Sequence, residues 1–529
     1  MEQLKLKDQL FARKSLKLLL EEMAGEHRLR RALGPVSLTS LGVGAVIGAG
    51  IFVATGKAAH NVAGPALMLS YVAAGITCIF AALCYAEFAS MAPVAGSAYT
   101  YAYTTLGEMF AWIIGWDLVL EYAVGAATVA NGWSAYFQQV MKEIHVVLPD
   151  ALAGPLFIYK DGLHLSPGGM VNVPAVVIAL IVTGVLVKGI QESAWVNALM
   201  VFIKVAAVLF VIVVGAFYIN PANWSPPPPD DPALGRGGFA PFGLSGLTLF
   251  GYTFGERHGD TPVGMLAGAA IIFFAYIGFD SVSTHAEEAK RPQRDVPIGI
   301  VGSLLICTVL YVAVVLVLTG MVPYYQIDVN AGVARAFEQR DLKVANVIIA
   351  TAGVAGITSV LLVMMLSAPR VFLAMARDGL VPKQFFGDVH PRFRTPWRST
   401  ILIGLFVAVM AAFLPIDELL YLTNIGTLFA FIIVCAAVLI MRRTNPDAER
   451  PFRCPLVPIV PILGIICCLL LMFSLPTENW LRLVVWMAIG LTIYFAYGRR
   501  HSVLGQELRK EISLHGVSPA GMPAGGNKP

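Results

Sequence analysis

The chain has 529 residues, 57% of them hydrophobic and only 13% charged, with a mean hydropathy of +0.73; a soluble domain carries about 25% charged residues, so this one is built for a bilayer. Its net charge of +4 is spread through short loops, which leaves no basic face for nucleic acid. The seven cysteines lie almost entirely inside apolar runs without a Cys-x-x-Cys pair, and they read as packing residues with no disulfide, no metal and no cofactor.

Residues 1–35 are charged (Lys5, Lys7, Arg13, Lys14, Lys17, Arg28, Arg30, Arg31) and lack the apolar core of a signal peptide. They read as an amphipathic arm lying on the inner leaflet. Apolar stretches of about 20 residues begin near Leu38, Ala66, Met109, Val173, Val196, Met265, Pro297, Ala345, Ser399, Leu419, Pro458 and Leu481. They predict an all-α integral membrane protein with twelve transmembrane helices. Lys and Arg concentrate in the arm and in alternate connections, which places both termini in the cytoplasm.

Span one is broken by Gly42-Val-Gly-Ala-Val-Ile-Gly-Ala-Gly50, and span six by Phe273-Phe-Ala-Tyr-Ile-Gly-Phe-Asp280. Freed backbone groups in lipid cost several kcal/mol each unless they line a cavity or meet a ligand. At Gly48, Ala49 and Gly50 the bare amides and the positive end of the outer half-helix suit a carboxylate. Freed carbonyls around Phe274 to Ile277 suit an ammonium. A carboxylate at one break and an ammonium at the other describe an α-amino acid. A dinucleotide fingerprint does not fit, because Ile47 stands where a third Gly belongs.

Between the breaks, Asp117 and Glu121 are four apart and share one face of span three. Glu121 reaches mid-membrane, where it serves either as a proton relay, as a complement to a cationic substrate, or as a carboxyl bonded to its neighbours. Lys204 lies about nine residues into span five, close to the bilayer centre at 1.5 Å per residue, where an ammonium is costly and serves either as a structural group pinned by carbonyls or as a functional one. Ser225 to Pro232 is a stiff polyproline spacer. Asp280 follows the second break and faces the inner half-helix, as a candidate reporter of occupancy or proton exit. Glu287, Glu288, Lys290, Arg291 and Arg294 form an inner-loop charge cluster. Arg370, Arg377 and Asp378 close span eight, with Gly379 and Pro382 as stop signals.

Five is odd, so a second five-helix unit starting at span six enters the membrane the opposite way up, and the broken spans become symmetry partners. The chain then divides into the arm (1–35), a first five-helix repeat (36–220), a Pro/Gly-rich outer connection (221–262), a second, inverted repeat (263–442), helices eleven and twelve (443–500) and a cytoplasmic tail without fixed structure (501–529).

Val46-Ile-Gly-Ala-Gly-Ile-Phe52, Gly115-Trp-Asp-Leu-Val-Leu-Glu-Tyr122, Phe273 to Asp280 with Glu287-Glu-Ala-Lys-Arg-Pro292, and Pro369 to Pro382 follow one another in the chain. Together they resemble the amino acid-polyamine-organocation (APC) superfamily, and most closely its cationic amino acid transporter family. The resemblance runs from about Arg28 to Arg500. It implies a leucine-transporter-like five-plus-five inverted repeat in which spans one and six hold the substrate's α-amino and α-carboxylate groups. By that resemblance Gly48, Ala49 and Gly50 offer amides, while Val46, Ile47, Phe274, Ala275 and Ile277 supply carbonyls or walls, and Phe274 stands at an aromatic outer gate. Lys204 occupies the place of a cation site in sodium-coupled relatives, so its protonation cycle couples transport to protons. Thr358 and Ser359 keep sodium as the weaker option. Met364 falls at a side-chain-pocket position that is small in mammalian cationic members, which favours small or medium neutral substrates.

The expected function is a proton-coupled permease for L-amino acids in the cell's inner (plasma) membrane, a monomer working by alternating access. A carrier or exchanger of arginine, lysine and ornithine is the close rival, favoured by Glu121, and a non-transporting sensor on the same fold is the alternative of another class. The histidines His60, His145, His164, His258 and His285 are scattered, which argues against an enzyme. No Gly-x-x-x-x-Gly-Lys-Ser/Thr loop is present for an ATP-driven pump.

Overall fold

The computed structural model describes residues 6–14, 33–91, 97–159, 163–189, 194–249, 252–258 and 261–515. The helices that build the body are α1 (Pro35–Val46), α2 (Leu67–Met91), α3 (Glu108–Glu143), α4 (Val173–Lys188), α5 (Ala194–Ala216), α6 (Met265–Ile272), α7 (Pro292–Met321), α8 (Lys343–Arg377), α9 (Trp397–Phe413), α10 (Ile416–Thr444), α11 (Ile459–Met472) and α12 (Thr477–Ile493). Among the described residues, eight stretches are long and apolar enough to cross a membrane, and α1, α4, α9 and α11 are shorter apolar helices. The stretch Gly50–Met91 holds 42 residues, ~63 Å at 1.5 Å per residue and about twice a hydrocarbon core. The chain therefore reverses inside it, at Gly64 (φ +59°) and Pro65. Residues 50–63 continue α1 beyond its break, and α2 runs back.

Two groups of helices result. In one, α7 packs along both α1 and α2, and α6 lies on α2; in the other, α3 packs along α8 and α4 along α9, with α9 also against α3 and α8. α5 bridges the groups through α8, α7 and α1, and α10 does so through α3 and α2. α3 and the α6 stretch (Met265–Ser283) are the most enclosed, each 89% buried over its most apolar part against 22% for the α12 stretch, so both carry groups that lipid cannot reach. The 221–264 connection carries the antiparallel hairpins β3–β4 (Leu247–Leu249, Tyr252–Phe254) and β5–β6 (Arg257–His258, Thr261–Pro262). A third, β1–β2 (Phe157–Tyr159, Leu163–Leu165), precedes α4.

The opposite face is clasped by both ends of the chain. Lys14 pairs with Asp378 at the end of α8 (3.1 Å), and Tyr99 donates to the same carboxylate (2.7 Å). Glu108, the buried first residue of α3, accepts from Tyr103, Tyr494 and Ser502. The tail expected to lack structure instead carries a helix, α13 (Val503–His515), whose first amide donates to the Asp378 carbonyl (3.0 Å) and whose Gly505 lies under Gln9. Its start is fixed because buried backbone groups at the end of α8 take partners from it. The arm was expected to lie on the leaflet; its described part, residues 6–14, packs on protein, and 15–32 lie outside the described residues.

A second anchor lies at the end of α2. Glu87 is fully buried and accepts from Arg442 Nε and Nη2 (2.9 and 2.8 Å) and from the Cys454 amide (2.7 Å), with Arg450 Nε at 3.3 Å. Removing one partner of a buried ion pair strands the other charges, at a cost of about 3 kcal/mol or more. Glu87→Ala is expected to lower the thermal midpoint of the purified protein markedly, and an unchanged midpoint would mean the cluster is idle.

Candidate substrate and coupling site

Both expected breaks are present. α1 ends because Ile47 takes an extended backbone (φ −72°, ψ 106°), and helix resumes at Ala49 with a π-type turn, Gly50–Ala54. Such wide turns leave backbone groups out of the regular ladder and recur at functional sites. α6 passes into a 3₁₀ turn, Phe273–Tyr276, then leaves helical geometry at Ile277 (ψ 131°) and Gly278 (φ +121°), a conformation open to glycine.

The two breaks cross in contact. A Cβ on Gly50 would lie 2.2 Å from the Ala275 Cα, and one on Gly278 would lie 2.8 Å from the Ala45 carbonyl oxygen. Val46, Ile47, Ala49, Phe274, Ala275 and Ile277 are all buried around this crossing. Gly48 faces α8, where a Cβ would meet Val360 Cγ2 at 2.5 Å. Met364, also on α8, turns its thioether to Gly125 of α3, near Thr423 of α10. The structure thus brings the sequence-derived backbone residues together, with Met364 in the adjoining α3–α8–α10 packing.

Two residues that sequence reading passed over tie the crossing together. The Tyr311 hydroxyl of α7 lies 2.9 Å from the Val46 carbonyl and 3.1 Å from that of Ala275, one from each break. Its ring packs edge-on against Tyr71 and Tyr276, both at 5.5 Å. Asn424 of α10 donates to the carbonyls of Ala270 and Ile271 (2.8 and 2.9 Å), the last turn of α6. An asparagine inside an apolar run is a legible signal, whereas a tyrosine there is indistinguishable from core. Tyr311→Phe keeps the ring and removes one hydrogen-bonding group worth about 0.5–1.5 kcal/mol. Uptake is expected to fall up to about tenfold with only a small drop in thermal midpoint; wild-type uptake would show the hydroxyl is dispensable.

Lys204 is fully buried and donates to the Gly44 carbonyl (2.5 Å), while its stem lies along Gly356 of α8. Its ammonium therefore sits between α1 and α8, three residues before Ile47. Thr358, the candidate sodium ligand, accepts from Trp133 Nε1 (2.9 Å) and donates to the Val354 carbonyl (2.7 Å). Asp117, Glu121 and Asp280 are buried together with oxygens that have no protein partner: both of Asp117, one of Glu121 and one of Asp280. Asp280 accepts from Tyr122 (2.8 Å), and Asp117 packs on Gly426 of α10. Unpaired ionised carboxylates are costly in such a place.

On the face of the 221–264 connection a cavity of about 630 Å³ descends to Val53 and Asn131, one turn from Ala49. Lys57 paired with Asp417, and Arg335 paired with Asp328 (2.6 Å), stand in its wall. Interrupted helices crossing in the core below a polar vestibule define a multi-pass membrane permease. The amino acid permease family model matches residues 33–494, and the chain belongs to that family, within the APC superfamily. It is 43% identical to the branched-chain amino acid permease BcaP of Bacillus subtilis (95% of this chain, 100% of the relative). It is 42% identical to the methylthioribose transporter of the same organism (94% and 99%) and 32% identical to the vacuolar cationic amino acid transporter 4 of Arabidopsis thaliana (91% and 94%).

Proposed function

We propose that the protein is a proton-coupled secondary carrier of L-amino acids in the inner membrane, working by alternating access, with both termini cytoplasmic and the 630 Å³ vestibule facing outward. The observation that carries this reading is the contact of the two breaks at Gly50 and Ala275. Amides from one break and carbonyls from the other flank a zwitterion when the crossing opens, and the same contact seals the path when it closes. In the closed form the Val46 and Ala275 carbonyls are occupied by Tyr311, so substrate ammonium and tyrosine hydroxyl share these acceptors.

The helix pairing supports the inverted repeat. Counting α1 to α10 as five and five, α2 lies on α7, α3 on α8 and α4 on α9, each on its own counterpart, and the breaks meet as the first pair. Lys204 on Gly44, together with the carboxylates Glu121 and Asp280, each with one oxygen lacking a protein partner, supplies the proton-handling groups.

Neutral substrates of small or medium size, branched-chain ones included, fit best: Met364 fills space beside α3, and the Bacillus subtilis relative named for branched-chain amino acids, at 43% identity, is more similar than the cationic transporter at 32%. Glu121 keeps the cationic carrier as the second reading. Uptake of leucine, alanine, arginine and methylthioribose into proteoliposomes tests this, under a proton gradient, a sodium gradient or neither. Leucine and alanine accumulation driven by protons alone is expected. Arginine uptake indifferent to pH would install the cationic carrier, and binding without uptake would install the sensor.

A further inference from the structure

A second groove, of about 680 Å³, lies between α2, the start of α7 and the connection that follows α10, on the arm face of the molecule. We propose that it holds one anionic phospholipid of the adjoining leaflet, with an acyl chain in the groove and the headgroup phosphate at Arg294.

The groove has two unlike ends. Down α7 its lining is Pro297, Ile298, Val301 and Leu305, faced by Leu83 of α2. These positions recur at three- and four-residue spacing and so make one stripe on the helix. Ile298 and Leu305 are 42% and 48% exposed, too apolar for water and suited to an acyl chain. From Arg294 to Leu305 the stripe rises ~16 Å, close to the ~15 Å depth of one leaflet's hydrocarbon. The length matches a chain that enters at the headgroup level and ends near the midplane.

The rim is polar and basic. Arg294 and Gln293 line it from the first turn of α7, and Pro451 and Phe452 line it from the connection. That connection, from the end of α10 through residue 453, carries Arg442, Arg443, Arg450 and Arg453 against Asp447 and Glu449. Glu87, one turn from Leu83 on α2, holds Arg442 and Arg450 in ion pairs, so the charge offered to a headgroup is chiefly that of Arg294. Asp295, the next residue, forms no ion pair with Arg294 among the described residues, and its carboxylate accepts from the Arg291 amide (3.1 Å). An exposed guanidinium above an apolar trough complements a phosphate above an acyl chain. The lipid also braces a working part: α7 is the helix whose Tyr311, six residues past Leu305, holds both breaks.

The test uses the full chain in nanodiscs of phosphatidylcholine alone or mixed with phosphatidylglycerol of the same acyl chains. Retained lipid is counted by native mass spectrometry after mild detergent release, and leucine uptake is measured in matching vesicles. The wild type is expected to retain one phosphatidylglycerol in preference to phosphatidylcholine. Arg294→Gln, at an exposed position, is expected to weaken that retention about fivefold, the effect of ~1 kcal/mol per basic residue. Val301→Trp, which fills the trough, is expected to remove it, and the rise in uptake that phosphatidylglycerol is expected to give the wild type shrinks in Arg294→Gln and vanishes in Val301→Trp. Equal retention of the two lipids by the wild type overturns the proposal, as does undiminished retention in Arg294→Gln. Retention is read without transport, so its failure is distinct from failure of the carrier reading.

Discussion

Gly50→Ala is expected to abolish substrate binding and uptake, whereas Gly48→Ala is expected to lose them only until Val360 is shortened. The two glycines are one residue apart, yet they face different partners. A methyl on Gly50 would come within 2.2 Å of the Ala275 Cα and 2.8 Å of its amide nitrogen, where carbon contacts settle at about 3.5–4.0 Å. The obstacle is backbone, and that backbone is the other break, so the two breaks must part and lose the alignment that would grip a substrate at both ends. On Gly48 the same methyl meets the Val360 side chain at 2.5 Å. Overpacking of this kind costs ~1–3 kcal/mol, or about 5- to 150-fold in binding. The measurement is the Kd for labelled leucine in three purified variants, Gly48→Ala, Gly48→Ala with Val360→Ala, and Gly50→Ala, each checked for a monodisperse, thermally cooperative preparation. Recovery in the double variant and no recovery in Gly50→Ala is the expected pattern. Wild-type affinity in folded Gly50→Ala would remove the crossing from the binding site.

The position of the breaks was legible because glycine runs inside apolar spans are locally encoded: Ile47 and Gly278 leave helical geometry within the stretches that the sequence marks. Lys204, Asp117, Glu121 and Asp280 were equally visible, since an ionisable group in an apolar run stands out whatever it touches. What they touch was not visible. Tyr311 reaches Val46, 265 residues away, and Asn424 reaches Ala270 across 154; no local periodicity encodes such partners, and a buried tyrosine has the same sequence signature whether it packs or positions. Helix α13 escaped for another reason. Taken alone it is a short polar helix, marginal in water, and it is held by Asp378 and Glu108, residues whose purpose is apparent only when both ends of the chain meet.

Lys204→Met is expected to flatten the pH dependence of uptake while leaving substrate binding within about tenfold of wild type, a loss of ~1.4 kcal/mol or less. Methionine keeps an unbranched stem against Gly356 and removes the ammonium, so the variant separates charge from packing better than Lys204→Ala, which empties the space beside α8 as well. The Gly44 carbonyl loses a charged donor, an interaction worth ~1.5–3 kcal/mol, and α1 is freed three residues before its break. If the ammonium fastens α1 to α5 in one protonation state and releases it in the other, removing it disconnects the movement of the break from the proton gradient without touching Gly48 to Gly50. Asp280→Asn offers the contrast: it retains an acceptor for the Tyr122 hydroxyl and removes one of the unpaired buried carboxylates, leaving Lys204 in place. Uptake measured from acidic to alkaline external pH, with counterflow as the gradient-free readout, separates these roles. Counterflow preserved with uptake unresponsive to the gradient in Lys204→Met is the outcome expected of a coupling residue. Full pH dependence in both Lys204→Met and Lys204→Ala would reduce the lysine to a strut between α5 and α1 and leave proton movement to Glu121 and Asp280.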